Sequence, residues 1–165
     1  MFNSRNHCLT VVAVVFWAVA IGSAQAVVTC PSGDKAATGR VTGPYNFNYF
    51  GTIAQHAGNE PVAGTGSFVA DGKGNITGGT FNMNCEGFEF NDAVTGGCYS
   101  INQDGTGFIS LVFSGAPCFF GSNSKGVDLD IIVNSTASEI SFASDAGDRN
   151  FFTGLEIPFS GVASH

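Results

Sequence analysis

Apolar and polar residues alternate with a period of two along much of this chain, and this pattern constrains its fold more than any other feature. Residues 45–49 alternate aromatic side chains with Asn, and residues 108–113, 127–133 and 139–142 continue the alternation. Successive side chains of a β-strand point to opposite faces, so a period of two indicates half-buried strands. No stretch long enough for a stable helix has apolar residues at helical spacing, and we therefore expect little helix.

Turn-forming residues separate these strands at short intervals. Asp71-Gly72 and Asp104-Gly105 each lie between apolar runs, which is the strongest local signal for a β-hairpin. The composition of residues 58–61 and 145–148 indicates two further turns. The spacing predicts eight or nine strands, centred near residues 47, 67, 78, 89, 100, 110, 130, 141 and 154.

The short connections also predict how the strands are arranged. Strands joined by short loops pair antiparallel in sequence order, so we expect a meander. Eight or more twisted strands either split into two packed sheets or close on themselves. Because no long crossover connection is evident, we predict an all-β antiparallel meander closed into a small β-barrel, with a β-sandwich as the alternative. An eight-stranded barrel is either filled by its side chains or holds one small ligand, and the 14 Phe and 3 Tyr residues between Val27 and His165 supply an aromatic interior for either case.

The amino terminus has the pattern of an export signal. Arg5 and His7 precede an apolar run over residues 9–22, and Ala24-Gln25-Ala26 follows it. A positive start, a short apolar stretch and a small-residue cleavage site are typical of a signal peptide. A membrane anchor is the alternative, but it needs about 20 apolar residues. We predict a signal peptide over residues 1–26, a single mature domain over residues 27–165, and a secreted or periplasmic location.

The composition of the mature domain bears on its partners. Removing residues 1–26 takes away Arg5 and Trp17, so the formal net charge of −7 becomes −8. Nucleic acids favour clustered Lys and Arg, and so do anionic membrane surfaces. We therefore expect no nucleic-acid partner and no stable membrane insertion. An outer-membrane barrel of eight strands stays open as an alternative because the length suits it, and the oligomeric state stays open as well.

Four cysteines stay in the mature chain, at Cys30, Cys85, Cys98 and Cys118. An even number of cysteines in an exported domain indicates disulfides, and the missing Cys-x-x-Cys motif gives no support to a zinc site. Four cysteines allow three pairings. Because Cys85 and Cys98 bracket a short segment, we favour a bond between them and a second bond from Cys30 to Cys118.

No established catalytic or cofactor motif occurs in the sequence, so we predict no cofactor, no metal and no assigned catalytic residue. Asp128 and Asp130 fall on the same face of a predicted strand, about 6.5 Å apart. Two such carboxylates could divide the acid and base roles of a hydrolase. We favour the alternative that they line the solvent face of the strand, because Val127, Leu129 and Ile131 alternate with them and face the core. His56 precedes a predicted turn and could act as a general base. These three residues are the candidates for an alternative function as a barrel enzyme, either a cyclase or a hydrolase.

Three segments, residues 45–51, 66–78 and 97–107, together resemble a pattern of Gly-x-aromatic strands and Asp-Gly hairpins in secreted bacterial proteins of unknown function. More distantly, the architecture is similar to calycin-type and allene-oxide-cyclase-like barrels. Lipocalins open with Gly-x-Trp, whereas Gly43-Pro44-Tyr45 stands here. The resemblance implies a β-barrel and carries over no catalytic residue. We expect a secreted, disulfide-bonded barrel that serves as a binding or structural module, with a small apolar ligand as its candidate partner.

Overall fold

The computed structural model describes residues 30–55, 58–85, 87–115, 126–144 and 159–165. Their elements are α1 (Lys35–Thr38), β1 (Thr42–Gln55), β2 (Gly58–Asp71), β3 (Asn75–Cys85), β4 (Phe88–Ile101), β5 (Thr106–Phe113), β6 (Gly126–Val133), β7 (Glu139–Ser144) and β8 (Phe159–Ser164). In this part of the chain no helix has the length and apolar character needed to cross a membrane.

The eight strands form a closed antiparallel barrel. Each strand pairs with the next along the chain, and β8 returns to pair with β1. The register of that last pairing runs from Asn46 opposite Ser164 to Gly51 opposite Phe159. Closure removes the exposed edges that an open sheet would present to other chains. The predicted meander and its closure into a barrel are therefore confirmed.

Some of the predicted strand boundaries are wrong. The strands expected near residues 89 and 100 are a single strand, β4. Its pairing with β5 shifts register at a bulge between Val94 and Gly96 and then continues, so the strand is not interrupted there. Residues 58–61, expected to form a turn, belong to β2, where Pro61 lies opposite Thr52 of β1. The turn expected at residues 145–148 and the strand expected near residue 154 lie outside the described residues. The sequence pattern did not predict β8.

Both Asp-Gly hairpin turns are confirmed, and the aspartates explain why they form. The Asp71 Oδ1 atom accepts hydrogen bonds from the backbone nitrogens of Lys73 and Asn75, at 2.7 and 2.9 Å. The Asp104 carboxylate accepts the backbone N–H of Thr106 at 3.0 Å. Gly72 follows Asp71 with a φ of 74°, a left-handed conformation that glycine adopts at little steric cost.

Aromatic rings fill much of the barrel interior. The ring centroid of Phe47 lies 6.0 to 6.4 Å from those of four other inward-facing rings. These neighbours are Tyr49, Phe68, Phe81 and Phe142. The Phe81 ring in turn lies 4.6 Å from Phe113. Separations of this size are typical of favourable aromatic contacts, so the rings form a continuous cluster across the barrel.

The three tyrosines are buried, and each hydroxyl donates a hydrogen bond to a backbone oxygen. The bonds run from Tyr45 to Ala137 at 2.7 Å, from Tyr99 to Val41 at 2.6 Å and from Tyr49 to Asn82 at 3.3 Å. Buried polar groups need such partners because an unpaired hydroxyl in an apolar interior is costly. The tyrosines therefore join the aromatic core to the barrel wall and to the segments that cover one end.

The side chains leave little free space inside the barrel. A cavity inside the barrel, lined by apolar residues of the described part of the chain, measures about 20 Å³. Its lining includes Phe47, Phe81, Leu111 and Phe142. A volume of this size has room for about one water molecule. The sequence left open whether the barrel is filled or hollow, and in the described residues it is filled.

Candidate functional site

A disulfide fastens the start of the described chain to the outside of the barrel. Cys30 is bonded to Cys98 of β4, with 5.8 Å between their Cα atoms. The backbone N–H of Asp34 donates to the carbonyl oxygen of Ile101 at 2.8 Å. At Gly33 a Cβ atom would lie 2.8 Å from both the nitrogen and the oxygen of Ile101, so glycine permits this close approach. Residues 30–34, which we call the N-terminal segment, are thus held against the end of β4.

This disulfide corrects the predicted cysteine pairing. Cys98 bonds to Cys30, so the favoured pairs Cys85–Cys98 and Cys30–Cys118 are wrong. Short sequence separation favoured Cys85, but Cys85 ends β3 and lies opposite Phe88, whereas Cys98 lies opposite Asn75 at the other end of the same strand pair. Cys118 lies outside the described residues.

A groove of about 660 Å³ runs along the outside of the barrel, between the N-terminal segment and strands β5 to β7. We call it the outer groove. Its wall includes Pro31 and Ser32, and its outward-facing floor residues form two cross-strand rows. One row is Ser100, Phe108, Asp130 and Ala143, and the other is Thr106, Ile132 and Ser141. Residues of four strands and of the N-terminal segment therefore converge on one concave surface.

The outer groove combines apolar surface with one carboxylate. Ile132 is 63 % exposed, and Phe108 is half-buried. Asp130, directly opposite Phe108, is exposed. The described lining also contains hydroxyls at Ser32, Ser100, Thr106 and Ser141 and the amide of Asn102, and it includes no Lys, Arg or His. A mainly apolar groove with a few polar groups is the usual composition of a small-molecule site.

A second groove of about 570 Å³ lies beside the N-terminal segment, and Lys35 and Lys73 line it. Asp71 lies next to Lys73. Burial acts to raise the pKa of the Asp71 carboxyl, but hydrogen bonds from Asn75 and Lys73 and the charge of Lys73 together lower it. The Lys73 charge therefore already has a neighbouring carboxylate to compensate it. This groove has less apolar surface than the outer groove and gives weaker grounds for a ligand site.

The structure brings one of the predicted candidates into the outer groove. Asp128 and Asp130 both lie on the outward side of β6, where Asp128 is half-buried and Asp130 is exposed. Asp130 lines the groove, and Asp128 is not among its lining residues. His56 lies outside the described residues. Within the described ranges no three His, Cys, Asp or Glu side chains are grouped closely enough to hold a metal ion.

The apolar residues of the outer groove are not evident from the strand pattern of the sequence. Phe108 and Ile132 were assigned to strands, but neither was predicted to face outward. The available signal is a break in alternation, because Ile132 stands between Ile131 and Val133 in an uninterrupted apolar run. A strand with one solvated face has polar residues at every second position, so an apolar residue at such a position indicates a covered or binding surface.

Comparison with known proteins gives no assignment for this site. No protein-family model matches the chain, and no curated protein matches it in sequence.

Proposed function

We propose that this protein is an exported, disulfide-bonded β-barrel that works as a binding module, and that the outer groove is its ligand site. The observation that carries this proposal is the contrast between two volumes. The cavity among the described inward-facing side chains measures about 20 Å³, whereas the outer groove offers about 660 Å³. Ligand sites measure roughly 300 to 1,000 Å³, and the outer groove falls within that range.

The lining of the outer groove indicates the chemistry of the ligand. Phe108, Ile132 and Ala143 provide the apolar surface, and Asp130 provides a hydrogen-bond acceptor with a negative charge. We therefore propose a small, mainly apolar ligand that carries an amine or another hydrogen-bond donor. An anionic ligand would be repelled by Asp130 and would find no cation in the described lining.

Export is also part of the proposal. The pattern of residues 1–26 supports removal of a signal peptide, and the Cys30–Cys98 disulfide is compatible with an extracellular or periplasmic compartment. We also propose a distant relationship to calycin-type barrels, with the ligand site on the outside of the barrel instead of within it.

Isothermal titration calorimetry with two matched probes tests the proposal. Phenethylamine and phenylacetate have similar apolar bodies and opposite charges. We expect phenethylamine to bind the purified protein more tightly than phenylacetate. Asp130→Asn should weaken phenethylamine binding by about threefold to tenfold, because a charge-assisted hydrogen bond is lost.

Two further variants make the result specific to the outer groove. Glu139→Gln removes an exposed carboxylate on β7 outside the groove lining and serves as the matched control. The double substitution Cys30→Ser with Cys98→Ser frees the wall that contains Pro31 and Ser32, and we expect it to weaken binding. Equal affinity for both probes, or an unchanged affinity in Asp130→Asn, would contradict the proposal.

A further inference from the structure

A second surface of the barrel presents an unusually large number of exposed asparagine side chains. Across β1 to β4, three cross-strand rows of outward-facing residues lie in register. The rows are Asn46, Ser67, Thr80 and Ala93; Asn48, Thr65, Asn82 and Asn91; and Phe50, Ala63, Asn84 and Glu89. We call these residues the amide face, and they lie apart from the outer groove.

The five asparagines of the amide face have exposed side chains. None of their side-chain amides hydrogen-bonds to another residue in the described part of the chain. The hydroxyls of Ser67 and Thr80, by contrast, lie 3.0 Å apart and bond to each other. The asparagine amides are therefore free to donate to and accept from a partner outside the protein.

Asparagine is a poor choice of residue for this position in the fold. It is depleted in β-strands, where Thr and Val fit the pleated surface better. Here Asn46 and Asn48 occupy β1, Asn82 and Asn84 occupy β3, and Asn91 occupies β4. Residues that disfavour the local secondary structure and make no compensating packing contacts are expected at functional surfaces. The repeated asparagines thus indicate a binding role for this face.

The charge of the amide face restricts the class of partner. The whole chain has a formal net charge of −7, but Glu89 is the single charged residue in the three rows. Nucleic acids and anionic polymers require basic side chains, which these rows lack. A lipid surface requires broad apolar area, and Phe50 is the one large apolar side chain in the rows, at 69 % exposure. The charge and polarity suit a neutral partner that is rich in hydroxyls.

The spacing of the amide face suits an extended polymer. The row Asn48, Thr65, Asn82 and Asn91 crosses four adjacent strands, which lie about 4.8 Å apart. A side-chain amide both donates and accepts hydrogen bonds, as a sugar hydroxyl does. The exposed Phe50 ring offers an apolar surface on which a pyranose ring can stack. We infer that the amide face binds a neutral polysaccharide chain.

Affinity electrophoresis of the exported protein tests this inference. The protein is run in native gels that contain dextran, laminarin or galactomannan, and in a gel that contains the anionic polysaccharide alginate. We expect retardation by at least one neutral polysaccharide and none by alginate. Retardation by alginate alone, or by none of the four, would overturn the inference.

A triple substitution assigns the binding to the amide face. Asn48→Thr, Asn82→Thr and Asn91→Thr together should weaken binding about tenfold or more, since three hydrogen-bonding groups are replaced. The same variant should unfold at a higher temperature than the unmodified protein, because Thr favours strands. A purely structural role for the asparagines predicts the reverse, a loss of stability with binding unchanged.

A control variant and a measurement of association state complete the test. Ser135→Ala and Thr136→Ala remove exposed hydroxyls from the turn between β6 and β7, outside both the amide face and the outer groove, and this variant should bind as the unmodified protein does. Sedimentation equilibrium of the unmodified and Asn→Thr proteins tests a second copy of the chain as the occupant. Self-association that the Asn→Thr substitutions abolish, without polysaccharide binding, would overturn the inference.

Discussion

The Phe47 ring covers Gly66, the residue directly opposite it on the neighbouring strand. A Cβ atom at Gly66 would overlap both the Phe47 ring and the backbone oxygen of Thr80. Phe142 lies in the same way over Gly161, its partner on β8. Glycine opposite an inward-facing ring leaves room for that ring against the sheet. This relationship explains how a barrel of eight strands holds so many aromatic side chains.

Gly66→Ala should therefore destabilise the barrel. The added methyl group must displace the Phe47 ring, and overpacking of this kind costs about 1–3 kcal/mol. Urea unfolding, followed by circular dichroism, measures the change in the free energy of unfolding. Gly96→Ala is the matched control, because its Cβ atom would lie 3.7 Å from the nearest non-neighbouring atom, the Ile76 oxygen. Equal stability of the two variants would contradict a filled interior at Phe47.

Loss of the Cys30–Cys98 disulfide should also reduce stability. The bond joins residues 68 positions apart, and closing a loop of that length corresponds to about 4 kcal/mol in the chain-entropy description. The double substitution Cys30→Ser with Cys98→Ser should lower the free energy of unfolding, measured with urea, by up to about 4 kcal/mol. It should leave the strand content unchanged. Peptide mapping without reduction checks the bond itself, and recovery of a Cys85–Cys98 peptide would contradict the assignment.

Acid should weaken the turns that aspartates hold together. The pKa of Asp104 is lowered by hydrogen bonds from Thr106, and that of Asp34 by the backbone N–H of Ala37. The Asp71 carboxyl has a lowered pKa as well. Because these folded-state values lie below the unfolded value of 3.8, the stabilisation is present above that pH and is lost as pH falls further.

Urea unfolding at about pH 6 and about pH 3 measures this loss of stability. Asp71→Asn keeps an acceptor for the turn but has no carboxyl to protonate. We expect this variant to lose less stability than the unmodified protein between the two pH values. An identical loss in both proteins would show that Asp71 does not contribute to the acid response.

High pH should destabilise the barrel by deprotonating its buried tyrosine hydroxyls. Burial raises the pKa of Tyr45, Tyr49 and Tyr99 above the ordinary value of 10.0. A raised folded-state pKa gives stabilisation that is present below pH 10.0 and lost as pH rises through the folded-state value. Tyrosinate absorbance and circular dichroism, recorded in one base titration, should therefore change together. Tyrosinate that forms near pH 10.0 while the barrel stays folded would contradict the burial of these hydroxyls.

The sequence predicted much of the fold because the relevant signals are local. Alternation over residues 127–133 and the Asp71 and Asp104 turns each depend on a few neighbouring residues, and the structure agrees with all of them. The long hairpin of β1 and β2 was harder to predict. Residues 58–61 have the composition of a turn, but their pairing with β1 decides their conformation.

The candidate site was less predictable because its parts come together only in the folded barrel. Ser32, Phe108 and Asp130 are distant in sequence and meet at the outer groove. The cross-strand register of Asn48, Thr65 and Asn82 likewise depends on strand pairing, and inspection of each strand alone does not show it. The Cys30–Cys98 pairing could not be predicted for the same reason, because the spacing of cysteines along the chain does not show which of them are close in the folded barrel.

We propose that the barrel, whose described interior is filled by its own side chains, binds its ligand on the outside. Mapping the backbone amide shifts of the ¹⁵N-labelled protein by NMR during titration with phenethylamine tests this claim most directly. We predict that the shifts concentrate at the outer groove, at Ser32, Phe108, Asp130 and Ala143. Shifts that concentrate instead at the inward-facing residues Phe47, Phe81 and Leu111 would show that the ligand enters the barrel and would contradict the claim.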